Sequence, residues 1–97
     1  VNIVQLKYDE LDQAAQKIAD GSVRVKDMMN KWQNQVEVLK GGAWVGRGSD
    51  SFYDESDSLM VPALKRLEEA LEALSNGLRQ AQERMRGAEQ ECASRFR

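Results

Sequence analysis

The residues best suited to chemistry are four carboxylates in one short stretch, Asp50, Asp54, Glu55 and Asp57. Several hard oxygens close together are what a calcium ion or an acid–base couple requires. A calcium loop, however, sets its ligands at alternating positions around a central glycine and closes with a glutamate, and this stretch has none of that order. The four read instead as surface acids at the start of a helix, where the positive end of the helix dipole favours them. The sequence has no histidine and one cysteine, Cys92. A zinc site, a Ser–His pair and an internal disulfide therefore lack their parts. The reading is non-enzymatic: no catalytic, cofactor-binding or metal-binding residue is assigned, and no small-molecule substrate is expected.

Arginines gather further along, at Arg79, Arg84, Arg86, Arg95 and Arg97, whereas the stretch from Asp50 to Glu72 holds seven acids and only Lys65 and Arg66 as bases. A basic end can face an anionic membrane or an acidic partner, but cations also suit the negative end of a helix, which is the simpler account. With 14 Lys and Arg against 16 Asp and Glu, the formal charge is -2. No overall positive field collects phosphates, so nucleic acid is not an expected partner. No run approaches the ~18 apolar residues of a membrane span, and Val1–Lys7 is neither basic enough nor apolar enough for a signal peptide.

These residues must be positioned by helices. A chain of 97 residues with 41% hydrophobic, 6% aromatic and one proline is too apolar for disorder and too proline-poor for a linker, and it predicts one all-α domain. Apolar residues recur every seven positions at Val4, Leu11, Ile18, Val25, Trp32 and Leu39. Four residues after each lies a second line, Tyr8, Ala15, Ser22, Met29, Val36 and Ala43, polar only at Ser22. The pattern predicts a first helix over about 4–40, with Gly21 and Ser22 marking a bend or a close helix contact. From Met60 a second stripe runs through Leu64, Leu67, Leu71, Leu74, Leu78, Ala81, Met85, Ala88 and Cys92. It predicts a second helix over about 50–95. Cys92 falls on its core line, where a thiol behaves as a small apolar residue and is expected to be unreactive.

Between the stripes, residues 41–49 hold four of the seven glycines and form the turn. Ser49 is the expected N-cap of the second helix, which then starts at Ser49 or Asp50. Pro62 inside that helix removes a backbone donor and crowds the carbonyl four residues back, so a kink or broken turn is expected near Ser58. Two long helices and a short turn make an antiparallel hairpin, with Leu11, Ile18, Val25, Trp32, Leu39, Leu67, Leu71, Leu74 and Leu78 as its core. A further line, Ala14, Gly21 and Met28 on the first helix and Leu59, Ala63 and Ala70 on the second, would lie in water in a lone hairpin. Small residues there permit close approach, so these six are candidate dimer-interface positions and the expected assembly is a dimeric four-helix bundle.

The centre of the chain carries Trp44-Val45-Gly46, with Phe52 six residues further on, between two long helices in a chain of about one hundred residues. In these features the chain resembles the WXG100 family, the ESAT-6-like proteins. The resemblance implies a helical hairpin that dimerises, with itself or with a WXG100 paralogue, and is exported folded by a type VII (ESX) secretion system driven by a membrane ATPase. The protein would be made in the cytoplasm and secreted without a cleaved signal peptide, to act as effector or as adaptor for co-secreted partners. Trp44, Gly46 and Phe52 would form the turn motif. The family's export signal also includes a Tyr-x-x-x-Asp/Glu motif after the second helix. Residues 89–97 contain no tyrosine, so the signal here is truncated, supplied by a partner, or different. Two other matches, Tyr8 to Asp12 and Tyr53 to Asp57, lie at helix starts and read as core tyrosines with solvated acids. The rival reading is a cytosolic coiled-coil adaptor that binds partner helices and is never exported.

Overall fold

The computed structural model describes residues 3–96, with Ala43 described by its backbone alone. A first helix, α1 (Ile3–Val38), widens into a π-type turn over Leu39–Ala43. A short α2 (Arg47–Glu55) follows, then a second π-type segment over Ser56–Met60, and then α3 (Val61–Arg95). No strand occurs among the described residues. α1 and α3 lie antiparallel and form a rod of 75 × 22 × 14 Å. Its radius of gyration is 21.7 Å, against roughly 13 Å for a compact chain of this length. A thickness of 14 Å accommodates one layer of helices, so the hairpin has a seam and no enclosed core.

The seam is narrow and unexpectedly polar. On α1 its centre is the line Tyr8, Ala15, Ser22, Met29 and Val36, all buried; on α3 the buried residues are Ser75 and Gln82. Three side chains donate to carbonyl groups of the opposite helix: Gln82 Nε2 to Tyr8 O at 3.3 Å, Ser75 Oγ to Ala15 O at 2.8 Å, and Ser22 Oγ to Glu68 O at 3.2 Å. Each step of seven up α1 is matched by a step of seven down α3, so the bonds form a ladder at heptad spacing in a single register. Small residues on the rungs let the backbones close up, and the hydroxyls and amide find partners there, as buried polar groups must. At Gly21 an added Cβ would stand 3.9 Å from Leu71 Cδ1, an ordinary van der Waals contact, so the packing there leaves room for a Cβ.

Several expectations are corrected by this geometry. Leu11, Ile18, Val25, Trp32, Leu39, Leu71 and Leu78 flank the seam half-buried, but Leu67 and Leu74 are 47% and 52% exposed and are not hairpin core. They sit one position before the buried line of α3. Cys92 is exposed as well. The ladder brings Ile3 level with Gly87, so Cys92 lies beyond the described span of α1.

Helix α2 starts at Arg47, earlier than expected, and Ser49 is not its cap. The N-cap is Gly46, at φ 132°, a conformation that only glycine adopts without strain. Asp50 N–H donates to Gly46 O at 2.9 Å, the first bond of the helix. Ser49 is buried inside the first turn and its hydroxyl donates to the same carbonyl at 2.9 Å. Gly48 therefore lies within a helix, as the second residue of α2. The disturbance expected from Pro62 takes the form of the π segment Ser56–Met60, where Val61 N–H reaches five residues back to Ser56 O.

Candidate functional site

The turn is built on aromatic rings. Trp44 is extended in backbone, and its N–H donates to Leu39 O at 3.1 Å, closing the end of α1. Gly46 then reverses the chain, and α2 folds back so that Phe52 and Tyr53 meet the tryptophans. Ring centroids lie 5.2 Å apart for Trp44–Phe52, 5.7 Å for Trp44–Tyr53 and 5.8 Å for Trp32–Phe52. Tilted pairs at this spacing match the quadrupoles of the rings. Tyr53 is buried and its hydroxyl donates to Trp44 O at 2.7 Å, tying the motif to α2. The indole N–H of Trp32 donates to buried Ser56 Oγ at 2.6 Å, tying α1 to the π segment. Trp44 itself remains 42% exposed, so the motif is both a structural plug and a surface.

Lys40 adds an electrostatic clasp. Its Nζ lies 3.4 Å from Asp57 Oδ2, 3.6 Å from Glu37 Oε1, and 5.3 Å from the centre of the Tyr53 ring. Partial desolvation pulls its pKa down, but Asp57 and Glu37 outweigh that and hold it above the usual lysine value. Asp57 is thus engaged with Lys40, and among the described residues no three His, Cys, Asp or Glu side chains converge as a metal would need.

Beside this cluster one face of the rod is apolar and open. The stripe on α1 comprises half-buried Leu11, Ile18, Val25 and Trp32, with Met28 exposed alongside; exposed Leu67 and Leu74, with Met60 at the end of the π segment, form the stripe on α3. Viewed along the antiparallel pair, the α1 stripe, four positions before its buried line, and the α3 stripe, one position before its own, lie on the same side of the seam. They therefore form one face two helices wide. Of the candidate dimer-interface positions, Ala14, Met28, Leu59, Ala63 and Ala70 are exposed and Gly21 is half-buried. At the turn end this face opens into an apolar hollow of ≈ 290 Å³ between Trp32, Phe52, Leu59 and Met60, with Glu55 at its edge.

The far end differs. Tyr8 is buried with Arg86 stacked 4.6 Å from its ring centre, and its hydroxyl has no hydrogen-bond partner among the described residues. Burial, with Glu89 nearby, raises its pKa above the usual tyrosine value, and Arg86 opposes this. Arg79 Nη2 donates to Gln16 Oε1 at 3.1 Å and Arg95 pairs with Glu91 at 2.7 Å, so these arginines serve the hairpin and its last turn. Arg97 lies outside the described residues. Neither Tyr8 nor Tyr53 is presented on the surface, so both Tyr-x-x-x-Asp matches are internal tyrosines. Among the described residues no helix is long and apolar enough to cross a membrane.

Pattern reading did not single out Ser56, Ser75 and Gln82. A usable signal was present for the last two: Glu68, Ser75 and Gln82 repeat at seven residues beside the leucine line, the spacing of the α1 stripe.

Neither a curated protein nor a solved structure matches the chain in comparison searches. A family model does: the WXG100 model, described as proteins of 100 residues with WXG, matches residues 3–90, a span that holds α1, the aromatic turn and most of α3. The chain belongs to the WXG100 family.

Proposed function

We propose that the protein is a small type VII secretion substrate that pairs, through its open apolar face, with a second chain of its own kind to form a four-helix bundle, and leaves the cell as that folded pair. The observation that carries this reading is the arrangement of the two sides of the hairpin. On the α3 side its inner seam is centred on the polar Ser75 and Gln82, while larger apolar residues, Leu67 and Leu74 of α3 and Met60 just before it, stand outside. Large apolar side chains aligned on one face of a two-helix rod favour burial against a second layer, at about 25 cal/mol per Å². The partner is a second copy or a WXG100 paralogue. Outside the cell the pair acts as effector or as adaptor for co-secreted proteins.

Trp44, with Phe52 behind it, is the surface at the turn that the export ATPase would recognise. Since both internal tyrosines are buried, the tail part of the signal falls to a segment after residue 97, to the partner chain or to a different element. The test is an immunoblot of washed cells and culture supernatant from the native host, with and without the type VII ATPase, alongside a cytosolic marker. The expected result is extracellular protein only with the ATPase intact, lost in Trp44→Ala at unchanged helix content. Retention in the cell in both strains would leave the cytosolic adaptor as the function.

A further inference from the structure

The leucine line of α3 faces outward because of one extra residue in the π segment before it. Pro62 has no N–H to offer Ser58 O, and in a plain α-helix its ring would press on that carbonyl. The chain escapes by widening: over Ser56–Met60 the bonds span five residues, and Val61 N–H reaches Ser56 O. Ser58 Oγ meanwhile donates to Asp54 O at 2.6 Å. A π turn of this kind absorbs one residue, leaving everything after it rotated by about 100° relative to an uninterrupted α-helix.

The residues before the π segment cannot turn to compensate. Trp32 holds Ser56 by its indole N–H, and Tyr53 holds the carbonyl of Trp44. The rotation is therefore expressed in α3. Without the extra residue, every position of α3 takes the place of its successor. Leu74 would stand where Ser75 now meets Ala15, Leu67 where Glu68 meets Ser22, and Ala81 where Gln82 meets Tyr8. The leucines would close the hairpin on itself, and the outward line would become Arg66, Ala73, Gln80 and Gly87.

We infer that the π turn enforced by Pro62 is a rotational setting that turns Leu67 and Leu74 away from α1 and so creates the open apolar face. The polar ladder is its counterpart: Ser75 and Gln82 make bonds available in this setting only. The same sequence thus has a second packing, self-satisfied and without a face to offer, one residue of helical phase away. The role of that face in pairing rests on the proposed function, but the rotation itself does not.

Intrachain disulfide trapping tests it independently of assembly. In a Cys92→Ser background, Ala15→Cys is combined with either Ser75→Cys or Leu74→Cys, and closure under mild oxidation is followed by mobility of the single chain. With Pro62 present, the 15/75 pair is expected to close at least about tenfold faster than 15/74, since a disulfide needs Cα atoms within ~7 Å and correctly aimed Cβ vectors. Pro62→Ala should invert the preference, and Pro62→Ala with deletion of Ser58 should restore it by removing the residue that the π turn absorbs. An unchanged 15/75 preference in Pro62→Ala overturns the inference, as does a faster 15/74 pair in the parent. Circular dichroism accompanies each variant. If Pro62→Ala loses helix, the deletion variant decides alone, and failure to recover both helix and the 15/75 pair overturns the inference.

Discussion

The two ends of the rod are organised on different principles. At the turn, four aromatic rings, a glycine at φ 132°, two part-buried side-chain hydrogen bonds and the Lys40 clasp close a small region on itself. At the other end Cys92 lies exposed, Phe96 is 85% exposed, and the buried Tyr8 hydroxyl has no partner among the described residues. The difference teaches that order in this hairpin is imposed from the turn, which fixes the phase of the helices, while the length of the rod leaves surface for another chain. Between them the polar ladder supplies register more than energy, because each net hydrogen bond contributes only about 1 kcal/mol.

The comparison can be broken most strongly at Gly46. Gly46→Ala places a Cβ at φ 132° and is expected to cost about 1–3 kcal/mol, seen as a lower urea midpoint in tryptophan fluorescence. Tyr53→Phe removes the hydroxyl that holds Trp44 O and should cost about 1 kcal/mol, with the aromatic packing retained. At the open end, Phe96→Ala should change the stability of the hairpin by less than about 0.5 kcal/mol in the same measurement.

Alkaline titration sharpens the contrast, because each end holds one group that grips its proton more tightly when folded. Lys40 and Tyr8 both have pKa values raised above their ordinary 10.5 and 10.0. Their contributions are present in full below those ordinary values and are lost as pH climbs through the raised ones. Lys40 then surrenders the charge that pairs with Asp57, and Tyr8 acquires a charge in a buried site. Thermal melts should show a fall in stability above about pH 10. In Tyr8→Phe only the Lys40 part of that fall should persist.

Much of this architecture was legible in the sequence. The seven-residue stripes mark both long helices, the glycine cluster marks the reversal, and Pro62 marks the disturbed turn. Trp44, Gly46 and Phe52 could be picked out because their spacing, central placement and flanking helices act together. What the stripes could not supply was phase. A heptad pattern states which residues share a face, but one absorbed residue before α3 decides which face meets α1, and so Leu67 and Leu74 stand outside and Ser75 and Gln82 inside. The exposure of Cys92 depends on the same register. Gly46 took the capping position from Ser49 because its positive φ lets the helix begin earlier, and Ser49 then lies within the first turn.

The most direct test of the central claim, that the outward leucine face exists for a second chain, is the mass of the purified protein by light scattering across a concentration series, beside Leu67→Glu/Leu74→Glu. Both changes fall at exposed positions of the hairpin, so the fold should survive them. The account predicts twice the single-chain mass of 11.0 kDa for the parent, alone or with its paralogue added, and the single-chain mass for the double variant. A parent that stays at the single-chain mass at every concentration and with the paralogue present would contradict it.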